Sequence, residues 1–496
     1  MLYFRMIVVI LVNLYTSRVI LSVLGIDDYG IYNVVGGVVL FFSFFNSCMS
    51  TSTQRFLNIA IGKGDDEQLK KVFSTSLLIH ILIGLFVVIC AETIGLWFVN
   101  NKLVIPQERM FAANCVYQIS IVSFFVNIMQ VPYNASIIAH ERMSVFAYVT
   151  IIDVFLKLLI VYLLTYISYD KLIIYGILHL SVIIFIRQLY QIYCRRHFSE
   201  CHFSFCKDKR LFKEMSQFAG WNMFGSVAWL LRGQGQNILL NMFFGPAINA
   251  AKAICSQVQH AVMGFVSNFQ TAMNPQITQT YAQNKIEEME SLVYRSLKFS
   301  FIILFMFALP IILNIDFILD FWLESVPDYT NVFVILSFCD ALVGNLFGVP
   351  LMTALSATGK IRNYQIVVSS IILMYIPICY FVLRTGFYAP SVLYVSIGIS
   401  FFSGVIRFLY CRRQIGFSLK KILKLNIYPV LLMVLLVVPL SYYLRVYVYN
   451  EQTWFDFILL SVITILEITI ISWFVCIRKG ERIFIISMLK GILHRK

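Results

Sequence analysis

Five cations sit well inside long apolar runs of the chain: Arg18, Arg55, Lys157, Arg232 and Lys252. A cation at the centre of a membrane-spanning helix costs about 2.5–3.5 kcal/mol on insertion scales, so each one needs a reason. Arg5, Arg187 and Arg407 are read differently, because they lie near the cytoplasmic ends of their runs and can snorkel to the headgroups. Arg18 and Arg232 are separated by 214 residues (232 − 18), close to the period of an internal repeat. Arg55 and Lys252 fall in the spans that follow directly. These four are expected to form a cationic wall in one cavity. Gln54, Asn222, Gln234, Gln236 and Asn237 on the same elements suit a wet surface better than lipid. Guanidinium binds a pyrophosphate through charge-assisted, often bidentate hydrogen bonds, so a doubly charged phosphate ester matches such a wall. The alternative is that each cation pairs with an acidic residue or reaches a headgroup.

The acidic residues divide in the same way. Asp153 and Lys157 are spaced i, i+4, which lets them neutralise each other on one helix face; ion coupling through Asp153 is the alternative. Glu92 and Asp340 could carry a proton or Na⁺, and a buried protonated carboxyl with no such role fits equally well; Glu467 is a further acidic residue in a span. Cys194, Cys201 and Cys206, with His197 and His202, fit no zinc spacing. No phosphate-binding glycine loop, GxSxG elbow or HExxH helix occurs, so ATP hydrolysis and ordinary hydrolytic catalysis have no motif to carry them. No cofactor is expected, and the chain reads as a transporter rather than an enzyme.

The elements that must hold these residues are membrane helices. The chain of 496 residues is 59% hydrophobic and 13% charged, whereas a soluble chain is about a quarter charged. Its apolar residues come in runs of about twenty, enough to cross a hydrocarbon core of about 30 Å. Spans are expected at 2–24, 31–60, 73–98, 108–134, 143–168 and 171–193, then at 213–241, 248–278, 296–320, 329–356, 361–384 and 388–410. A last pair falls at 424–447 and 453–477, which makes an all-α integral membrane protein of about fourteen helices. The first run, Leu2 to Leu24, is too long for a signal-peptide core and reads as a span. It begins almost at Met1, consistent with a short cytoplasmic leader missing from the reading frame.

Net charge is +14, and the loops account for it. Counting loop cations, roughly 26 lie on the side that includes Lys63, Lys70, Arg195, Arg196, Lys209, Arg412 and the Arg478–Lys496 tail, against roughly 5 on the other. The poorer side carries Lys102, Arg109, Lys171, Arg384, Arg445 and the acidic Asp27-Asp28 turn. The positive-inside rule therefore puts both termini in the cytoplasm, as an even number of spans requires. Since topology explains the cations, no nucleic-acid partner is called for. The eleven cysteines are scattered and form no secreted-type disulfide framework.

The chain also repeats itself at an offset of about 215–225 residues, the plan of parallel-repeat transporters. Tyr29-Gly30 matches Phe244-Gly245, Val72-Phe73 matches Val293-Tyr294, Trp97 matches Trp322, Pro106 matches Pro327, and Val131-Pro132 matches Val349-Pro350. The expected organisation is a six-helix lobe over 1–196, a basic cytoplasmic linker over 197–212, and a second, pseudo-symmetric six-helix lobe over 213–412. Two extra C-terminal helices and a basic tail fill 413–496.

Several segments resemble the Wzx-type polysaccharide and O-antigen exporters. They are LGIDDYGIYNVVGGVVLFFSFFNSCMSTSTQRF (Leu24–Phe56), VPYNASIIAHERM (Val131–Met143), GWNMFG (Gly220–Gly225), NMFFGPAINAAKAICSQV (Asn241–Val258), NPQITQTYA (Asn274–Ala282) and ATGKIRNYQI (Ala357–Ile366). The resemblance implies the multidrug/oligosaccharidyl-lipid/polysaccharide (MOP) exporter fold, a MATE-like pair of lobes around a central cavity. It implies a flippase of the bacterial inner membrane, moving undecaprenyl-pyrophosphate-linked oligosaccharide from the cytoplasmic to the periplasmic leaflet for surface polysaccharide such as O-antigen. The partners implied are that lipid-linked substrate, membrane lipid and the polysaccharide polymerase machinery, with H⁺ or Na⁺ coupling. Related peptidoglycan-precursor flippases carry cations on their first, second and eighth helices, where Arg18, Arg55 and Lys252 are the counterparts by helix position. Two other readings stay open. A multidrug antiporter of the same fold predicts an apolar or acidic cavity, and a membrane-embedded polymerase predicts a large periplasmic loop.

Overall fold

The computed structural model describes residues 44–101, 105–167, 169–202, 204, 208–323, 326–447, 453–478 and 480–482, with scattered positions between 5 and 36. All of its regular elements are helical. Among the described residues, ten helices are long and apolar enough to cross a membrane, so the chain is an all-helical multi-pass membrane protein. Arg18 and the Tyr29-Gly30 landmark lie outside the described residues.

The chain divides into two compact units, residues 1–227 with 278–284, and residues 228–277 with 285–496. The first unit contains α1 (Phe44–Lys63), α2 (Asp66–Cys90), α3 (Met110–Ala139), α4 (Met143–Thr165) and α5 (Lys171–His197). It also takes the first half of α6 (Lys209–Phe244) and the end of α7 (Pro246–Ala282). Helix α6 starts inside the segment expected to be linker, with Asp208 accepting the Arg210 and Leu211 N–H groups.

Local chemistry sets the helix ends. Asp65 accepts the Gln68 N–H at 2.9 Å to cap α2, and Asp66 and Glu67 complement the positive end of its dipole. Asp170 caps α5 by accepting from Leu172 and Ile173, while Arg195, Arg196 and His197 close that helix. After Cys90 the helix widens into a π-turn over Ala91–Gly95. The Tyr117 hydroxyl on α3 donates to the Ala91 carbonyl at 2.7 Å and ties α3 to this turn. Where α1 ends, a Cβ on Gly62 would stand 2.8 Å from the Gln279 carbonyl oxygen, so the two backbones nearly touch.

In the second unit α8 (Ile286–Leu313) packs against α9 (Thr330–Leu346) and α10 (Val349–Thr358). Helices α11 (Arg362–Leu373), α12 (Tyr375–Arg384) and α13 (Ser391–Ile415) complete that packing. The expected single span at 329–356 is broken at Phe347-Gly348, between α9 and α10. Arg407 repairs the break: its Nη1 donates to the Phe347 carbonyl at 2.7 Å and its Nε to the Tyr364 hydroxyl at 3.0 Å. That corrects the expectation that Arg407 snorkels to the headgroups. Helices α14 (Tyr428–Tyr447) and α15 (Trp454–Val475) dock on α8, where Phe301, Phe305 and Leu309 meet Met433, Val437 and Ile468. Beneath them the buried Lys298 ammonium bonds Glu481 at 2.7 Å and the Cys476 carbonyl at 2.9 Å. Burial works to raise the Glu481 carboxyl, yet the bond to Lys298 holds it below the usual carboxylate range.

The same helix ending recurs along the chain. Gly64 and Asn284, 220 residues apart (284 − 64), both have positive φ, at 67° and 61°. Glu141 and Gly359, 218 apart (359 − 141), have φ of 58° and 75°. Each of the four donates its N–H to the carbonyl three residues back, at 3.0–3.1 Å, a turn that satisfies the last carbonyls of a helix. Both offsets fall inside the repeat period of the sequence.

Candidate substrate-binding cations

In the second unit, Arg232 projects from α6 toward α9 and α13 and is 6% exposed. Its Nη2 lies 3.3 Å from Asp340 Oδ2 on α9, and the same nitrogen donates to the Ser396 and Ser400 hydroxyls of α13. Ser396 in turn donates to Asp340 Oδ2 at 2.6 Å. The guanidinium carbon stands 4.8 Å from the Trp229 ring centre and 5.2 Å from that of Tyr375, both within cation–π range. Gly235, one turn on, lets α6 approach α12: a Cβ there would meet Ile376 at 2.7 Å. Arg232 is therefore the counter-ion of Asp340 and not an open cation, which is the alternative reading weighed for it. The pair is not saturated. Arg232 Nη1 and Asp340 Oδ1 are both buried with no hydrogen-bond partner among the described residues.

In the first unit, Arg55 on α1 is held by aromatic faces. Its guanidinium carbon is 4.6 Å from the Phe56 ring centre and 4.7 Å from that of Phe218 on α6. Glu214 adds electrostatic attraction. Ser52, one turn earlier, donates to the Met215 carbonyl at 3.3 Å and ties α1 to α6. The side chain is half-buried. Lys252 on α7 is likewise half-buried.

The expected polar neighbours separate. Gln234 and Asn237 are exposed, whereas Asn222 and Gln236 are buried. Gln54 donates to Ser50 on its own helix at 2.9 Å. Asp153 and Lys157 pair at 2.8 Å, as their spacing indicated, with His179 of α5 in electrostatic range of both. Glu92 lies in the π-turn and accepts from Gln118 at 3.1 Å. Sequence reasoning missed Trp229, Phe218, Tyr375, Ser396 and Ser400. The serines alone left a trace, because Ser396, Ser400 and Ser403 recur at helical spacing along one face. At the expected outer end of the first unit, Arg109 bridges Asp28 and Asp170, with Nε–Oδ1 of 2.8 Å to the former and Nη1–Oδ2 of 2.6 Å to the latter.

This all-helical membrane fold has solved counterparts. The crystal structure of a point mutant of a MATE protein superposes with a TM-score of 0.72 at 12% identity, covering 84% of this chain and 95% of that one. An outward-facing multidrug resistance MATE family transporter of the MOP superfamily gives 0.71 at 13%, covering 84% and 94%. A MOP superfamily transporter from Pyrococcus furiosus, described as having a binding pocket of reverse polarity, gives 0.69 at 14%, covering 85% and 95%. The fold is thus MATE-like, and the MatE family model matches residues 233–381. The polysaccharide biosynthesis protein family model matches residues 3–280, more than half of the chain, and the chain belongs to that family. Among curated protein sequences, none matches significantly.

Proposed function

We propose that this chain is a flippase that carries undecaprenyl-pyrophosphate-linked oligosaccharide from the cytoplasmic to the periplasmic leaflet of a bacterial inner membrane by alternating access. Its architecture in this reading is about fourteen spans, namely two six-helix lobes (1–196 and 213–412) joined by a basic linker, with accessory helices over 413–496 and both termini cytoplasmic. The observation that carries the reading is that a chain of the polysaccharide biosynthesis family keeps guanidinium groups along its polar helices α1 and α6, with Arg55 set between two aromatic rings. A multidrug exporter that takes cations has no use for such groups, whereas a pyrophosphate does.

In this mechanism Arg55 and Lys252, with Arg18, take the pyrophosphate charge. Arg232 joins them by exchanging partners: an incoming phosphate oxygen competes with Asp340 for the guanidinium, whose Nη1 is a donor in reserve. Protonation of Asp340 would release Arg232 toward substrate, so one site links a proton to the anion. Asp153 is already paired with Lys157 and Glu92 with Gln118, and both remain secondary candidates for ion coupling. A direct test uses proteoliposomes loaded with fluorescent undecaprenyl-pyrophosphate oligosaccharide. Arg55→Ala should abolish movement between leaflets, with a normal elution profile in detergent. Full activity in that variant would remove Arg55 from the site.

A further inference from the structure

The first unit contains an apolar groove that the cation sites do not use. It is bounded by Phe45 and Met49 of α1, Leu82 and Ile83 of α2, and Phe212 and Met223 of α6, with a cavity volume of about 240 Å³. Among the described residues no charged side chain lines it, and Ser216 is the one hydroxyl. Resting on the flippase reading, we propose that this groove holds the polyprenyl chain of the lipid-linked substrate while Arg55 holds its pyrophosphate.

Three observations support that occupant. The groove and Arg55 share a face of α1: Cys48 lines the groove and Arg55 follows seven residues later, two turns along the same stripe. That places the charge about 10 Å from Cys48 along the helix axis. On α6 the ring that covers Arg55 belongs to Phe218, between the lining residues Ser216 and Ala219. Charge and groove are therefore built from the same two helices. Arg55 also lies eight residues before Lys63 at the end of α1, about 12 Å along the helix axis, and the positive-inside reading sets Lys63 at the cytoplasmic headgroups. A phosphate reaching it has left the headgroup layer, as a transported lipid does and a resident phospholipid does not. Apolar walls offer hydroxyl groups no partners, which excludes the sugars from this space.

Gly220 supplies the test. It lines the groove, and a Cβ built on it meets nothing within 4 Å, so a larger side chain can fill the groove without displacing the helix. The probe is a polyprenyl pyrophosphate with a diazirine in its isoprenoid chain, photolysed with the purified full-length protein in nanodiscs. Adducts are expected on the groove segments of α1, α2 and α6. Gly220→Phe should lower labelling at least fivefold, Leu82→Trp should do the same, and Gly220→Ala should match wild type, with thermal unfolding of all three unchanged. A geranyl pyrophosphate, too short to fill the groove, should bind wild type and Gly220→Phe alike. Adducts confined to other helices, or labelling by a diazirine phospholipid that the polyprenyl probe fails to displace, would overturn the proposal. The two readings fail separately. Wild type that flips substrate but labels elsewhere loses only the groove, and wild type that captures the probe here yet flips nothing loses only the flippase reading.

Discussion

Replacing Asp340 by leucine leaves the Arg232 guanidinium without its counter-ion in a site where the two side chains are 7% and 18% exposed. Removing one partner of a buried ion pair costs about 3–5 kcal/mol, because the survivor stays charged and desolvated. Ser396 and Ser400 remain as acceptors, so the lower end, about 3 kcal/mol, is expected for Asp340→Leu. For a unit of this size each kcal/mol moves Tm by about 2–4 °C, so the variant should melt about 10 °C below wild type. Arg232→Met strands the carboxyl instead and should cost about the same. The double variant removes both charges and should return close to wild-type Tm, giving a coupling of about 6 kcal/mol in the cycle. Thermal unfolding in detergent, followed by monodisperse elution and helical signal, reads all four proteins. Transport separates a structural pair from a working one: the double variant should be stable and inactive. Two results would refute the reasoning. Asp340→Leu melting with wild type would mean that the pair contributes no stability, and a double variant with full transport would remove Arg232 from the substrate path.

Other consequences are open to simpler assays. Gly62→Ala places a methyl against the Gln279 carbonyl oxygen and should lower stability by about 1–3 kcal/mol, read as a drop in Tm that Gly220→Ala does not share. At the Arg109 bridge, burial works to raise the Asp170 carboxyl, but its bonds from Arg109 hold it below the usual range. A carboxyl depressed in the folded state stabilises above its unfolded value and loses that contribution as pH falls. Asp170→Asn should therefore cost about 1 kcal/mol at pH 7, and its Tm should converge on that of wild type as the pH drops below about 4.

The membrane class, most spans and the local pairs were legible because they depend on short-range periodicity. Asp153 and Lys157 meet because an α-helix brings i and i+4 together, and Asp65 and Asp170 cap helices that begin within three residues of them. What was not legible depends on packing between distant segments. Arg232 and Asp340 are 108 residues apart, and nothing local marks either as the other's partner. The stripe of Ser396, Ser400 and Ser403 announces a polar face without saying what it meets. The break at Phe347-Gly348 hides in an apolar run, since its cost is offset by Arg407, 60 residues away. For the same reason Arg407 read as an interfacial cation: hydropathy registers its position near a helix end but not the carbonyl that it serves. Arg55 was legible as a cation within an apolar run, while its setting between Phe56 and Phe218 required the fold to bring α6 beside α1.

The central claim is tested most directly by following undecaprenyl-linked oligosaccharide in cells that lack this gene, complemented with wild type, Arg18→Ala or Arg55→Ala. The account predicts that the lipid-linked pool accumulates on the cytoplasmic side and is cleared by wild type alone. An unchanged pool, accompanied by new sensitivity to cationic drugs, would contradict it and assign the chain to multidrug export.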